Sequence, residues 1–336
     1  MTSKTYVLVD SLNTYFRSIH TAHRASDTWA KMGLALHVTL ASVNAVVRRH
    51  PGAHVVFATE GKSWRKAFYP PYKKNREVAR QAQTQAEKEE SEMLLSAYSS
   101  LIEFLREKTN TSVLHHPEAE ADDLIARFIA LHPEDEIIIV SSDTDYYQLV
   151  NEHVSIYNGV ADEHITINGI FNAAGKPVKD RNTKEQKMLG DPQWLLFEKC
   201  MRGDKTDNVF SAYPGVRVKG TKNKVGLMEA FEDRVKKGYA WNNLMLQKWA
   251  DHNDQEHRVL DDYNRNVTLI DLTAQPADIK AKVDRAITEQ LRAEAVHGQV
   301  GLHFLKFCGK FELKRLSDDS TAFAQWLNQP YAGVLK

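Results

Sequence analysis

Nine of the 44 Asp and Glu residues of this 336-residue chain lie in four short segments. Asp10 stands alone in YVLVDSLN, and the other eight lie in PEAEADD (117–123), SSDTD (141–145) and GDKTDN (203–208). Two unit charges about 4 Å apart repel by roughly 4 kcal/mol at an effective dielectric near 20, so these acids need cations if they share one cleft. Oxygen ligands favour Mg²⁺ or Mn²⁺ over zinc, and two such ions about 3.5 to 4 Å apart would stabilise the attacking and leaving oxygens of a phosphodiester.

Each acidic segment also has a purely structural interpretation. Acids after Pro117 stabilise the first turn of a helix, and an Asp at a strand end caps the helix that follows it. The GDKTDN segment is typical of a surface turn with Asx hydrogen bonds. The joint occurrence of all four segments in one chain favours a metal site.

The elements that would hold these acids alternate along the first half of the chain. Short apolar, β-branched runs predict buried parallel strands at residues 6–9, 55–58, 112–114, 137–140 and 154–157. Helical spacing predicts helices at residues 34–47, 92–105 and 123–131. The order predicts a doubly wound, mainly parallel α/β sheet, in which ligands bind at the carboxyl ends of strands. Asp10, Glu60 and Asp143 each lie at or just after such an end.

The second half of the chain reads as mainly helical. Helices are predicted at residues 194–201, 225–235, 241–250 and 287–295, and residues 159–192 are predicted as a loop or extended insertion. We therefore expect an α/β domain at residues 1–190 and a mainly helical region at residues 191–336.

Composition argues against highly charged, disulfide-rich and membrane-spanning proteins. Lys plus Arg and Asp plus Glu are both 44, so no overall electrostatic attraction to nucleic acid or membrane follows. The two cysteines, Cys200 and Cys308, cannot form a disulfide framework or a four-ligand zinc site. We find no signal peptide and no apolar stretch near the roughly 20 residues of a membrane span, which predicts a cytoplasmic protein without a membrane partner.

Two basic segments predict local contacts with nucleic acid. Residues 62–80 contain seven basic residues and one acid, Glu77, with aromatic residues interleaved. This pattern is expected where cations pair with phosphates and rings stack on unpaired bases, although a solvated charged helix has a similar composition. The second segment, residues 215–226, places basic residues among glycines ahead of a helix, where backbone amides can bind phosphates.

With these motifs in this order, the chain resembles the 5′-nuclease superfamily of flap endonucleases, phage RNase H-type 5′-to-3′ exonucleases and the 5′-nuclease domain of bacterial DNA polymerases. The likeness is greatest to phage replication enzymes. It runs from residue 6 to about residue 272 and rests on YVLVDSLNTYFR, VVFATEGKSWRKAFYPPYKKNR, EAEADDLIA, SSDTDYYQLV, RGDKTDNV, PGVRVKGTKNKVGL and YNRNVTLIDL. It implies a PIN-like 5′-nuclease fold, a helical arch at about residues 62–95 and a helix-two-turn-helix-like element in the C-terminal region.

The resemblance also implies two Mg²⁺ ions, for which Mn²⁺ can substitute. The first ion would be held by Asp10, Glu120 and Asp122. The second would be held by Asp143, Asp145 and Asp207, with Asp123 and Asp204 holding metal-bound waters. One further family Asp falls on Ala58, so that either Glu60 replaces it or the first metal site is weakened.

The same resemblance assigns roles to the basic segments. Lys73 and Arg76 would contact the scissile phosphate as catalytic residues, and further DNA contacts would come from Arg65, Tyr72 and Lys74 in the arch and from Arg217, Lys219, Lys222 and Lys224 in the second segment. Family members often hold K⁺ at the second segment, but Val218 stands where one glycine is usual.

We therefore expect a divalent-metal 5′ nuclease that cuts near junctions of single-stranded and duplex DNA during replication. Its substrates would be DNA with a 5′ flap or nick, and RNA primers in RNA–DNA hybrids. Its partners would be replication proteins such as a single-strand-binding protein or a sliding clamp, and its location the cytoplasm, or the host cytoplasm if the chain is phage-encoded. One alternative is a DNA-binding replication factor whose metal site is impaired by Ala58. A HAD-like phosphatase lacks support, because no second Asp follows Asp10 by two residues.

Overall fold

The computed structural model describes residues 3–21, 27–291 and 294–333. The chain divides into two compact units. The first contains Met1–Ser63, Gln83–Leu189 and Ala277–Lys336, and the second contains Trp64–Ala82 and Gly190–Pro276. The expected single division near residue 190 thus differs from these units, because the last helices belong with the sheet and residues 64–82 belong with the helical unit.

The described residues form helices and strands along most of their length. The strands are β1 (Thr5–Asp10), β2 (His54–Ala58), β3 (Ser112–Leu114), β4 (Glu136–Val140), β5 (Val154–Asn158), β6 (Glu163–Thr166), β7 (Gly169–Asn172), β8 (Lys248–Ala250) and β9 (Glu256–Arg258). The helices are α1 (Ser11–Thr21), α2 (Thr28–Val47), α3 (Arg65–Phe68), α4 (Lys74–Gln81), α5 (Gln85–Lys108), α6 (Ala121–Leu131), α7 (Pro192–Arg202), α8 (Leu227–Glu232), α9 (Tyr239–Met245), α10 (Val259–Ile270), α11 (Ala277–Gln290), α12 (Val300–Lys310), α13 (Lys314–Asp318) and α14 (Ser320–Leu327). A 3₁₀ helix covers Thr144–Leu149.

The first unit is built on a seven-stranded sheet in the order β3-β2-β1-β4-β5-β6-β7. The pairs from β3 to β5 are parallel, and β6 and β7 are antiparallel. Alternate residues of β1 face opposite sides: Val7 and Val9 join the core that includes α2, α5, α12 and α14, whereas Tyr6 packs on Phe128 of α6. Both faces are covered, which is why these strands read as continuous apolar runs.

The second unit has its own apolar core. Phe197 and Met201 of α7, Trp241 and Leu244 of α9, and Val259 at the start of α10 pack together. A smaller cluster joins Tyr72, next to α4, with residues of α7 and α10.

Three predicted segments differ from the structure. Residues 159–192 contain the strands β6 and β7, joined by a turn at residues 167–168, after which Gly169, the first residue of β7, takes a φ of +125°. In the predicted helix at residues 241–250, α9 ends at Met245, and Lys248–Ala250 pairs with β9 as a hairpin. The predicted helix at residues 287–295 begins earlier, at Ala277, and ends at Gln290, while residues 292 and 293 lie outside the described residues.

The prediction that no apolar stretch is long enough to span a membrane was also wrong. By length and composition α2 could cross a membrane. Ten of its residues are buried, among them Leu36, Leu40 and Val43, which pack in the sheet core. The core helix of a soluble protein passes the same test, and α2 has this packing.

Candidate metal centre and nucleic-acid interface

The carboxyl edge of the parallel sheet positions the first acids. Asp10 ends β1 opposite Ala58 of β2, and Val9 lies opposite Val140, the last residue of β4. Because parallel strands end at the same edge, Asp10 and the segment that follows β4 emerge together. Sequence alone predicted this convergence.

Asp10 is 5% exposed and its carboxylate is surrounded by donors. Ser141 Oγ and Tyr146 OH both donate to Asp10 Oδ2 at 3.1 Å, and the Asn13 amide donates to Oδ1 at 3.4 Å. Burial and then the negative charge of Asp143 raise the pKa of Asp10 to about 6, although these hydrogen bonds act to lower it. A positive charge near Asp10 would relieve the cost of keeping it ionised.

Tyr146 shows how closely the acids of the first unit converge. Its side chain is 1% exposed. Burial, followed by the charges of Asp10, Asp122, Asp143 and Glu60, raises the pKa of Tyr146 well above its usual value. One hydroxyl group therefore lies within electrostatic range of four carboxylates that come from separate segments.

The N-terminus of α6 gathers three further acids. The carboxylate oxygens of Glu120, Asp122 and Asp123 lie within 4.8 Å of one another. Asp123 is fully buried and its Oδ2 accepts from the Glu120 amide at 3.1 Å, while Ser63 Oγ donates to Glu120 Oε2 at 2.8 Å. These bonds fix the acids on a rigid helix start.

Glu60 approaches the same helix start. Its Oε2 accepts from the Ala121 amide at 3.3 Å. The neighbouring Gly61 amide donates to the Ala119 carbonyl, and a Cβ at Gly61 would lie 2.1 Å from the His116 carbonyl oxygen. Only glycine allows this close approach, which brings the Glu60 carboxylate to α6 although Ala58 supplies no acid.

Asp143 and Asp145 follow β4, Asp143 just before the 3₁₀ helix and Asp145 within it. Asp143 Oδ1 accepts from the Asp145 amide at 3.0 Å, so Asp143 caps this helix as its structural interpretation suggested. Its charge also acts on Asp10, so capping does not remove it from the acidic centre.

Asp204 and Asp207 belong to the second unit, in the loop after α7. Asp204 Oδ1 accepts from the amides of Thr206 and Asp207, and its Oδ2 pairs with Lys199 at 2.8 Å. Burial acts to raise the pKa of Asp204, but the Lys199 contact and these amides outweigh it and hold the pKa below its usual value.

The basic residues predicted to meet the scissile phosphate contact Asp207 within this unit. Arg76 donates to Asp207 Oδ1 at 2.6 Å, and Lys73 Nζ lies 3.6 Å from Oδ2. Tyr72 OH donates to Oδ2 at 3.0 Å, and the Lys73 amide donates to the Asp207 carbonyl. The start of α4 is therefore tied to the loop that carries Asp207.

Two predicted DNA contacts were wrong. Arg65 is fully buried and its Nε donates to the Leu269 carbonyl at the end of α10, so its guanidinium supports the fold of the second unit. Tyr72 is 2% exposed and its hydroxyl is engaged by Asp207, so its ring cannot stack on a base. Composition could not reveal either position, because Arg is mostly exposed in proteins and Tyr is found both inside and at the surface.

The remaining predicted DNA contacts are exposed side chains. Helix α4 has no buried residue, and Lys74 is exposed on it. In the loop before α8, all four predicted contacts are exposed: Arg217, Lys219, Lys222 and Lys224.

The amides of this loop were expected to bind phosphate, but several are already used. The Gly220 and Gly226 amides donate to the Glu229 carboxylate of α8 at 2.9 to 3.0 Å. Amides of α8 donate to the Arg217 and Val218 carbonyls, so each of these oxygens already accepts one hydrogen bond. The K⁺ ion at this loop remains a prediction. The exposed cations of this loop remain the predicted phosphate contacts.

Some residues of the acidic centre were missed by sequence reasoning. Ser141 and Ser142 were assigned no role, yet they reach Asp10 and Asn13 of a distant segment. Tyr146 and Ser63 received no role. Tyr146 directly follows an acidic motif and Ser63 lies in a basic segment, and neither position reveals where a side chain points.

The donor set of the first unit fits hard divalent cations. The oxygens of Glu120, Asp122 and Asp123 lie within reach of one ion, and neither cysteine belongs to this group. Carboxylate-rich oxygen sites suit Mg²⁺, Mn²⁺ or Ca²⁺.

Comparison with known proteins identifies relatives of this chain. Residues 5–175 match the family described as 5′-3′ exonuclease, N-terminal resolvase-like domain. DNA polymerase I of Treponema pallidum is 30% identical over 237 residues, which cover 68% of this chain and 21% of that protein. Flap endonuclease Xni of Shewanella loihica is 28% identical over 230 residues, which cover 67% of this chain and 76% of that protein. The chain thus spans only about a fifth of the polymerase.

A solved structure supports the fold. The T5 5′-exonuclease with bound zinc ions superposes with a TM-score of 0.55 at 18% identity, over 85% of this chain and 99% of that one. The predicted fold class, a mainly parallel α/β sheet with a helical C-terminal region, is confirmed. So is the predicted relationship to 5′ nucleases.

Proposed function

Because this chain belongs to the 5′-3′ exonuclease family, we propose that it hydrolyses phosphodiesters near junctions between a 5′ single strand and duplex DNA. The observation that carries the proposal is the convergence of acids on one edge of the sheet. Asp10, Asp122, Asp143 and Glu60 all act on the single hydroxyl of Tyr146. So many carboxylates around one buried group are costly unless cations bind there.

Mg²⁺ is the proposed ion, with Mn²⁺ as a substitute. On the first unit the ions would be held by Asp10, Glu60, Glu120, Asp122, Asp143 and Asp145, with Asp123 supporting Glu120. Bound divalent ions supply Lewis-acid polarisation of the phosphate and lower the pKa of water. Asp204 and Asp207, which lie on the second unit, are also proposed as metal-binding acids, as the family resemblance implies.

The chain's cations are proposed to divide between two tasks. Lys73 and Arg76 would stabilise charge on the scissile phosphate, since both already lie against a carboxylate oxygen and can offer the same donors to a phosphate oxygen. Lys74 and the exposed cations before α8 would contact the DNA backbone.

The substrates we propose are 5′-flap and nicked DNA, with RNA primers in hybrids as further substrates. A single-strand-binding protein or sliding clamp would be a partner in replication. The cytoplasm, or the host cytoplasm for a phage protein, is the proposed location.

A second candidate follows from Ala58, which lies opposite Asp10 and supplies no carboxylate. A chain with too weak a metal site would bind branched DNA without cutting it. The contact of Glu60 with the Ala121 amide favours the nuclease, because it brings a substitute carboxylate to the same helix start as Glu120 and Asp122.

The test is cleavage of a 5′-labelled flap duplex, with blunt duplex and 3′-flap duplex as controls. The nuclease requires cleavage of the 5′ flap in Mg²⁺ or Mn²⁺ and none in EDTA. Binding without cleavage in either ion would support the second candidate, and cleavage that persists in EDTA would contradict the proposed mechanism.

A further inference from the structure

The hydroxyl of Tyr146 is unusual because it is buried among acids. Tyr146 lies in the 3₁₀ helix, next to Asp145, and donates to Asp10 Oδ2 at 3.1 Å. A phenylalanine at this position would fill the space of the ring equally well. What the hydroxyl adds is a hydrogen-bond donor to a carboxylate, which packing does not require.

The donors around Asp10 are unequal at its two oxygens. Oδ2 accepts from both Tyr146 and Ser141 at 3.1 Å, whereas Oδ1 accepts the Asn13 amide at 3.4 Å, a long contact. Two donors from different directions fix the rotation of the carboxylate group. They occupy Oδ2 and leave Oδ1 as the oxygen better able to bind a cation.

We propose that Tyr146 is a positioning residue, which holds the Asp10 carboxylate so that Oδ1 faces a divalent ion. This inference rests on the proposed function, because it assigns Asp10 to a metal site. Ser141 acts with Tyr146 and also accepts from the Asp143 amide at 3.1 Å, which joins the two acidic segments through one hydroxyl.

The expected size of the effect follows from other metal sites. Removing a partner that orients a metal ligand typically weakens metal binding by about 10- to 100-fold. Tyr146→Phe keeps the ring and removes only the donor. Asp10 then keeps its charge but gains rotational freedom, and that lowers affinity for the ion rather than the rate once the ion is bound.

The test measures Mn²⁺ binding directly, by electron paramagnetic resonance and calorimetry, for the full chain without DNA. Tyr146→Phe should bind the tightest Mn²⁺ about 10- to 100-fold more weakly than wild type. The matched control is Tyr15→Phe, which removes another fully buried hydroxyl, the one that donates to the Leu94 carbonyl. This control should bind Mn²⁺ like wild type.

A second variant and a second readout separate positioning from folding. Ser141→Ala removes the other donor to Oδ2 and should also weaken Mn²⁺ binding. If Tyr146→Phe is soluble with native circular dichroism and binds Mn²⁺ as wild type does, the inference is overturned. If Tyr146→Phe unfolds, unchanged Mn²⁺ affinity in Ser141→Ala overturns it instead. Failure of the wild-type chain to bind Mn²⁺ at all would overturn the proposed function itself.

Discussion

Arg76 donates to Asp207 Oδ1 at 2.6 Å, so a cation assigned to the substrate phosphate lies on an acid assigned to a metal ion. Lys73 reaches the other oxygen of the same carboxylate. Arg and Lys form charge-assisted hydrogen bonds with phosphate oxygens as well as with carboxylate oxygens. Arg76 and Lys73 thus already contact one oxyanion, the Asp207 carboxylate.

Replacing Arg76 should slow chemistry more than it weakens binding. In Arg76→Ala, the single-turnover cleavage rate at saturating enzyme should fall by about 10²- to 10³-fold. The reason is that the hydrogen bond from Arg76 to the phosphate becomes stronger as charge develops in the transition state. The DNA dissociation constant should change only a few-fold. Arg80→Ala, on the same exposed helix, is the control and should leave the rate near wild type. Equal losses of rate and affinity in Arg76→Ala would contradict this role.

The exposed lysines before α8 should behave in the opposite way. Lys222→Ala and Lys224→Ala should each weaken duplex binding and lower the salt slope by about one, while the single-turnover rate at saturation stays unchanged. Fluorescence anisotropy over a salt series measures both quantities. Lys236→Ala, another exposed lysine of the second unit, is the control. An unaltered slope in both variants would remove these residues from the interface.

Acid should destabilise the first unit through His54. Its Nδ1 faces the Gln329 carbonyl and its Nε2 faces Ser112 Oγ, so the neutral ring donates to one and accepts from the other. Burial lowers the pKa of His54 to about 4. Below about pH 6.5 His54 is protonated in the unfolded chain but stays neutral in the folded chain. The free energy of unfolding therefore falls as the pH is lowered toward 4.

Urea unfolding in EDTA at pH 7 and pH 5 measures this effect. Between pH 7 and pH 5 the free energy of unfolding should fall by about 2 kcal/mol more in wild type than in His54→Gln, since each pKa unit corresponds to about 1.4 kcal/mol. Identical losses would show that His54 does not govern acid stability.

The first half of the fold was predictable because buried parallel strands carry a strong sequence signal. Residues 137–140 of β4 read as an unbroken apolar run, IIIV, and the position of the acids just after it follows from topology. β6 and β7 were missed because apolar and polar residues alternate only weakly in these short strands, which also contain Gly, Asn and Thr. The burial of Arg65 and Tyr72 was missed because it depends on tertiary contacts with Leu269 and Asp207, which no local pattern encodes.

Glu60 should contribute to metal binding. Glu60→Gln should raise the Mg²⁺ concentration needed for half-maximal cleavage, because a carboxylate near Ala121 is lost while its hydrogen-bonding shape remains. Glu103→Gln, an exposed acid of α5, is the matched control. The double change Ala58→Asp with Glu60→Lys should keep activity, because it returns an acid to the end of β2. An unaltered Mg²⁺ requirement in Glu60→Gln would mean that Glu60 takes no part in the site.

The most direct measurement of the central claim is cleavage and binding of a 5′-flap duplex by Asp143→Asn. The Asn Oδ1 can still accept from the Asp145 amide, so the 3₁₀ helix keeps its cap and only the charge is lost. We predict that cleavage in Mg²⁺ falls to the EDTA background, while the flap dissociation constant stays within a few-fold of wild type. Wild-type turnover by Asp143→Asn would contradict the assignment of these carboxylates to a metal centre.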